Sequence, residues 1–229
     1  MLVAVPELLS ADQLAEVRRL IDDGQWGDGK TTAGRQSELA KHNLQLPSSD
    51  ANATLAGEII LAALAANGLF MSAALPHRVF PPLFNRYDAD GGHGFDKHVD
   101  NAVRYLPDGS GKIRTDLSAT VFLCAPDEYD GGELIVDDTY GEHAVKLSAG
   151  DMILYPSTSL HRVEPVTRGS RVASFFWIQS MVRDDGQRAL LLEMDASIRT
   201  IAGKLGDSDA SVVALTGTYH NLLRRWADC

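Results

Sequence analysis

The chain has 229 residues and a formal net charge of -10, from 21 lysines and arginines against 31 aspartates and glutamates, and 45% of its residues are hydrophobic. A chain of this length buries roughly 70% of its extended surface around one main core, so it needs no disulfide or structural-metal staple. The acidic balance speaks against general nucleic-acid binding, which requires a basic face to neutralise phosphates.

The first residues, Met1-Leu2-Val3-Ala4-Val5-Pro6-Glu7, carry no basic start, and their apolar stretch is too short for export or membrane spanning. A cytoplasmic protein without membrane association is expected. Cysteine usage agrees, because Cys124 sits in an apolar run and Cys229 is the last residue, an arrangement that speaks against a disulfide. Ser10-Ala11-Asp12-Gln13 reads as a capping box, and Leu14, Val17 and Ile21 form an apolar stripe that ends at Gly24, which predicts a helix.

The polar, glycine-rich segment from Gly27 to Gln45 carries Lys30, Arg35, Lys41 and His42. It reads either as a solvated loop leading into a strand at His42-Asn43-Leu44-Gln45-Leu46, or as a rim that contacts substrate through Arg35 or Asn43. A second helix is predicted from about Ala51 to Ala66, rich in alanine and leucine and stopped by Asn67-Gly68.

From Arg78 to Gln179 the pattern changes to short strands separated by turn residues, at Val79–Tyr87, Ser118–Leu123, Glu133–Asp137, Ala144–Leu147, Met152–Tyr155 and Arg171–Gln179. Strands at this spacing without alternating helices predict a mainly β fold, a double-stranded β-helix or jelly roll with flanking helices. Beyond Arg183 apolar residues recur at steps of three and four (Leu191, Met194, Ile198, Ile201, Leu205, then Val212, Leu215, Tyr219, Leu222, Trp226), with Gly206-Asp207-Ser208-Asp209 between the two series. Residues 1–182 are thus expected to form the β domain with its N-terminal helices, and 183–229 a helical hairpin. The hairpin either docks on the barrel or pairs with a second copy of the chain.

The triplet His98-Val99-Asp100 carries the most chemistry. On a β-strand its first and third side chains point to one face, so an imidazole and a carboxylate converge. Two imidazoles and one carboxylate on a single face of an octahedral metal leave the opposite positions open, the ligand set of non-haem iron oxygenases. His161, delivered by the apolar run Asp151–Pro156 and the turn Ser157-Thr158-Ser159, is placed to be the third ligand. Arg171 heads the β-rich run Arg171-Val172-Ala173-Ser174-Phe175-Phe176-Trp177-Ile178. A buried guanidinium needs an anion, which is either an internal carboxylate or that of a bound acid.

The run Arg86-Tyr87-Asp88, then Gly92, Phe95 and His98-Val99-Asp100-Asn101, then Gly131-Gly132-Glu133-Leu134, Gly150-Asp151 and His161-Arg162-Val163 with Arg171, resembles the iron(II)- and 2-oxoglutarate-dependent dioxygenases. Within them it is similar to the prolyl-hydroxylase-like branch, and most of all to bacterial PKHD-type hydroxylases associated with iron uptake. That similarity extends to Trp26-Gly27-Asp28-Gly29, Thr32-Ala33-Gly34 and the helical C-terminal extension, and so covers nearly the whole chain.

The resemblance implies His98, Asp100 and His161 as iron ligands, and Arg171 as partner of the distal carboxylate of 2-oxoglutarate. It also implies Tyr87 at the co-substrate site. Animal prolyl hydroxylases add a tyrosine from a strand that here reads Ser118-Ala119-Thr120-Val121-Phe122-Leu123, so a hydroxyl of Ser118 or Thr120 is the expected substitute. Asn101 is expected to orient Asp100 or touch substrate.

The implied cofactors are iron(II), 2-oxoglutarate as co-substrate and dioxygen, and the resemblance admits ascorbate. The implied reaction couples decarboxylation of 2-oxoglutarate to hydroxylation of an aliphatic carbon on a protein side chain or a small metabolite, with a link to iron uptake. An iron or 2-oxoglutarate sensor without turnover and a cupin-like metalloenzyme without 2-oxoglutarate remain as other readings. Phe95, Phe175 and Trp177 are candidates for an apolar wall around the metal. His93 reads as a solvent-exposed turn histidine or a support for the ligands, and His42, His77, His143 and His220 read as structural or exposed.

Overall fold

The strand-forming runs around Ser118 and Arg171 become the two central strands of a large antiparallel sheet in the computed structural model, which describes residues 1–32 and 41–228. Elements in the N-terminal half are β1 (Val3–Val5), α1 (Ala11–Ile21), β2 (Gly27–Asp28), β3 (Lys41–His42), β4 (Leu44–Gln45), α2 (Ala51–Ala66), α3 (Gly68–Ala74), β5 (Pro76–Val79), β6 (Leu83–Asp88), β7 (Gly94–His98), β8 (Val103–Tyr105) and β9 (Lys112–Arg114). There follow β10 (Leu117–Phe122), β11 (Asp130–Gly131), β12 (Leu134–Asp138), β13 (Gly141–Val145), β14 (Met152–Pro156), β15 (His161–Val163), β16 (Val166–Arg168), β17 (Ser170–Ser180), α4 (Asp185–Leu205) and α5 (Ala210–Trp226).

The larger sheet runs β1-β14-β10-β17-β6-β4-β2, with β5 also paired to β17, and the smaller one runs β13-β12-β15-β7-β3. Two antiparallel sheets with helices on the outside form the jelly roll that the strand spacing predicts. β10 is buried along its whole length and β17 along most of it, which is why both are built from apolar residues, Leu, Ala, Val and Phe in β10 and Val, Ala, Phe, Trp and Ile in β17, with small polar residues interspersed.

The N-terminal helices cover the outer face of the larger sheet. In α1 the Ser10 capping box forms as read, with Ser10 Oγ accepting from Gln13 N and Gln13 Oε1 accepting from Ser10 N, and Val17, Leu20 and Ile21 are buried. In α2, Ala53, Ala56, Ile60 and Leu64 bury one stripe, worth roughly 1.5–3 kcal/mol for each of the larger two. No single helix among the described residues is long and apolar enough to cross a membrane; α2 and α3 would be so only together, and they meet at 83°.

Several boundaries differ from the sequence reading for identifiable reasons. Asn67 does stop α2, yet its side chain accepts from Phe70 N at 2.9 Å and so starts α3 at once. The strand expected over Val79–Tyr87 splits into β5 and β6 at Phe80-Pro81-Pro82, because proline donates no ladder hydrogen bond. The strand expected over His42–Leu46 is two pieces, β3 in the smaller sheet and β4 in the larger, with Asn43 at the crossover. β13 spans Gly141–Val145 where Ala144–Leu147 is expected, since pairing with β12 sets its ends.

The C-terminal helices form the hairpin foreseen from their period, capped at their starts by Asp184 and Asp209. Leu191 is buried with Leu75 and Val182, and Tyr219, Leu222, Leu223 and Trp226 pack against this cluster. Arg188 fastens the hairpin to the end of β17. It is 1% exposed and donates to the carbonyls of Val182 and Arg183, both at 2.7 Å, and to Asp185 at 3.1 Å. Arg188→Met should therefore destabilise the protein by about 2–4 kcal/mol, through unpaired buried carbonyls, as measured by urea denaturation.

Candidate active site

His98 ends β7 and His161 begins β15, and the two residues are direct partners in the register of the smaller sheet. Opposed residues of neighbouring strands hold their Cβ atoms within roughly 4.5–5.5 Å, so the pairing brings the two imidazoles together. Their ring centroids are 4.2 Å apart. Asp100 lies two residues past the end of β7, so its convergence with His98 comes from the chain leaving the strand. One potential ligand atom from each of His98, Asp100 and His161 lies within 4.8 Å of the others.

The surroundings of the triad fix its geometry. Carbonyl oxygens of Asp96 and Ser159 lie 2.8 and 3.0 Å from Nδ1 of His98 and His161, which places the ring protons on Nδ1 and leaves the Nε2 lone pairs for a metal. His161 Nε2 is 3.8 Å from Asp100 Oδ2. Burial, followed by the neighbouring His161, pushes the His98 pKa down to about 4, so its ring is neutral at physiological pH. Ser118 donates from Oγ to Asp100 Oδ2 at 2.5 Å and shares a 2.7 Å hydrogen bond with Ser157 Oγ. This oriented pair of imidazoles with one carboxylate fits iron(II) with open positions on the far side.

Arg171 stands at the other end of the same cavity, a cleft of about 770 Å³ measured out to its open mouth. It is 1% exposed, its Cζ lies 5.4 Å from the Tyr87 ring and 5.3 Å from Phe122, and its Nε has no hydrogen-bond acceptor. Tyr129 is a further neighbour, its phenol pushed up to about 12 by burial against the opposing pull of Arg171. Among the described residues no carboxylate forms an ion pair with this buried cation, and leaving such a charge unpaired is costly, so the position suits an anion. The Gly131-Gly132 pair makes room for it: Gly132 has φ 67°, and a Cβ there would sit 3.1 Å from Arg171 Cδ.

The structure distributes the other expected site residues unevenly. Tyr87, Thr120, Asn85 and Tyr155 all line the cavity, Tyr87 against Arg171 and Tyr155 with its ring 5.1 Å from that of His161, and burial pushes the Tyr87 and Tyr155 phenols up. Ser118, expected beside the co-substrate carboxylate, is committed to Asp100 instead, because the β10 pleat places it toward the triad. Asn101 lines the mouth, and its carbonyl accepts from Thr115 Oγ1 at 2.6 Å. Asn43 is buried beside Tyr87 and does not reach the cavity wall, and Arg35 falls outside the described residues. His93 is half-buried and structural, with Nδ1 accepting from Asp88 N at 3.0 Å, which corrects its reading as solvent-exposed.

Phe95 stacks on His98 at 3.6 Å between ring centroids, and Phe95, Phe175 and Trp177 all line the cavity. Two cations escaped the sequence reading as site residues. Lys41 is buried with Nζ 5.7 Å from the Phe95 and Phe175 ring centroids, and burial, followed by Arg104, lowers its pKa to about 8. Arg104 is half-buried at the mouth. The alternation Val103-Arg104-Tyr105 marks its strand, but nothing in it says which face meets the cavity.

Comparison with known proteins decides the family. Over 228 residues, covering 100% of both chains, the sequence is 58% identical to a PKHD-type hydroxylase of Burkholderia thailandensis. The chain belongs to the PKHD-type hydroxylases. Residues 82–179 of this hydroxylase match the 2OG-Fe(II) oxygenase superfamily, and 185–228 match the PKHD-type hydroxylase C-terminal domain.

The fold is shared with a Pseudomonas putida prolyl-4-hydroxylase at 21% identity and a TM-score of 0.50, covering 78% of this chain and 92% of that one. It is shared too with a Trichoplax adhaerens prolyl hydroxylase, solved in complex with a hypoxia inducible factor oxygen degradation domain peptide fragment, at 14% identity and a TM-score of 0.57, covering 82% and 86%. The enzyme is an iron(II)- and 2-oxoglutarate-dependent oxygenase that uses dioxygen. Because Ser118 holds the carboxylate of the triad, Ser118→Ala should lower iron(II) affinity about 10–100-fold in a metal-binding titration, with little loss of thermal stability.

Proposed function

We propose that His98, Asp100 and His161 bind the iron(II) of this hydroxylase, that Arg171 pairs with the distal carboxylate of 2-oxoglutarate, and that the substrate is an aliphatic carbon of a protein side chain or small metabolite. The observation that carries this reading is one cavity with the oriented triad on one side and, at its base, a buried arginine that pairs with no carboxylate among the described residues. The prolyl hydroxylases of like fold support a peptidyl or free prolyl ring as the first substrate class to try.

Bound iron(II) and 2-oxoglutarate supply the oxidising chemistry, in which dioxygen is consumed, 2-oxoglutarate yields succinate and carbon dioxide, and an oxygen atom is delivered to the substrate carbon. The protein's residues bind and orient. Backbone carbonyls of Asp96 and Ser159 hold both imidazoles with Nε2 inward, and Ser118 with Ser157 holds the carboxylate. Arg171 offers a planar fork to a carboxylate, with Tyr87, Thr120 and Tyr155 beside it as hydroxyl partners. Phe95, Phe175 and Trp177 exclude water from the space between, which strengthens each charge interaction inside it.

Anaerobic titration of the protein with iron(II) and then 2-oxoglutarate should produce the visible charge-transfer band of a chelated keto acid, absent in His161→Ala. Arg171→Ala should weaken 2-oxoglutarate binding at least about 30-fold while iron stays bound, as expected for truncating one partner of a buried charge pair. An unchanged affinity would remove Arg171 from the site. Iron binding without the band would favour a cupin-like centre. A band with no substrate-linked succinate release, after prolyl peptides and free amino acids are tried, would favour a sensor.

A further inference from the structure

We infer that Arg104 is a substrate-specificity residue that receives a carboxylate of the molecule being hydroxylated, so that the reacting carbon is presented to the iron from an anionic substrate. This rests on the proposed assignment of the triad and of Arg171. Arg104 lies on β8, and its Cζ sits 3.7 Å above the centroid of the Trp177 ring and 5.5 Å from that of Phe80. A separation of 3.7 Å is that of flat stacking. The guanidinium face is therefore used by the indole, and its planar N–H edge is left for a planar acceptor in the cavity.

The platform is rigid. Trp177 is buried with Phe80 and Ile113, and its ring is wedged edge-on between Phe80 at 5.5 Å and Phe175 at 5.6 Å. It is also close to the metal side. Trp177 pairs with Ser118 across β17 and β10, and Ser118 is the residue bonded to Asp100. Arg171 and Trp177 lie on the same face of β17, six residues and so about 20 Å apart along the strand, at opposite ends of the cavity. Arg104 and Arg171 thus belong to different ligands.

Charge balance favours an anion at Arg104. Among the described residues, the charged side chains lining the cavity are Lys41, Asp100, Arg104 and Arg171. Iron(II) with Asp100, and 2-oxoglutarate with Arg171, together sum to neutrality. Lys41 is answered in part by Asp28. Arg104 feels Asp100 at longer range, but among the described residues no carboxylate forms an ion pair with it. An otherwise acidic protein, at -10, thus keeps a stacked guanidinium at the substrate mouth.

A carboxylate fits this edge better than a neutral amide, since it accepts two parallel charge-assisted bonds where an amide accepts one neutral oxygen's worth. The test uses the enzyme loaded anaerobically with iron(II) and 2-oxoglutarate. It is titrated calorimetrically with matched probes, the N-acetyl derivatives of proline, alanine and leucine, each as the free carboxylate and as the carboxamide. Wild type should bind the carboxylate of at least one pair about tenfold more tightly than its amide.

Arg104→Met, which keeps apolar cover on Trp177, should erase that ratio, and Arg104→Lys should leave an intermediate one. A merely structural arginine would change both members of a pair alike. Equal binding within every pair, absence of binding by all probes, or a ratio unchanged in Arg104→Met overturns the inference. The visible band of bound 2-oxoglutarate, recorded on the same samples, reports separately on the assignment of the triad and Arg171. Loss of the band in wild type would sink that assignment, whereas a normal band with no charge preference sinks only the role of Arg104.

Discussion

A guanidinium buried at the base of a cavity, with no carboxylate paired to it among the described residues, is the constraint around which the rest of this protein is arranged. Desolvating such an ion costs several kcal/mol even after relaxation, and the aromatic faces of Tyr87 and Phe122 offset only part of that. A bound anion would offset the remainder. Arg171 therefore sits on β17, the central and longest strand, where packing on both faces prevents it from escaping to water. Gly131 and Gly132 adopt positive φ nearby so that the chain can pass against Pro165 and the arginine stem, where any Cβ would collide or crowd.

The metal end is organised by the opposite kind of force, many short hydrogen bonds to neutral or singly charged groups. Each imidazole is turned by a backbone carbonyl, and the carboxylate is turned by a serine that is itself held by a second serine. Each carbonyl lies two residues before the imidazole it turns, so that part of the geometry is local, whereas Ser118 on β10 reaches Asp100 beyond the end of β7 and meets it only when the two sheets close upon each other. A site prepared in this way needs little rearrangement on binding iron(II), and burial keeps His98 in the neutral imidazole form that metal binding requires. Aromatic residues then wall the cavity: Phe95 stacks on His98, and Trp177 is held edge-on between Phe80 and Phe175.

Much of this was legible in the chain. The His98, Asp100 and His161 cluster follows from residue types and spacing, the helices from capping residues and period, and the family from motifs spread over the whole length. Even so, the reason given for His98 and Asp100 converging was incomplete, since Asp100 acts from beyond the strand end. Ser118 illustrates a different limit. Its hydroxyl was expected near the co-substrate, and only the register of β10 against β17 shows that it meets Asp100. Lys41 and Arg104 were invisible as site residues because short strands of two and three residues carry no period from which to infer a face.

The sequence by itself determined the chemistry available and the class of fold, because those depend on which side chains exist and on local alternation, properties encoded within a few residues of each other. Tertiary structure alone decided which hydroxyl serves which carboxylate, that Arg171 Nε finds no acceptor among the described residues, and that Arg104 stacks on Trp177. Those outcomes depend on strand register and on contacts between segments far apart in the chain. A one-residue change of register would turn every such side chain to the other face without altering the local pattern of either strand.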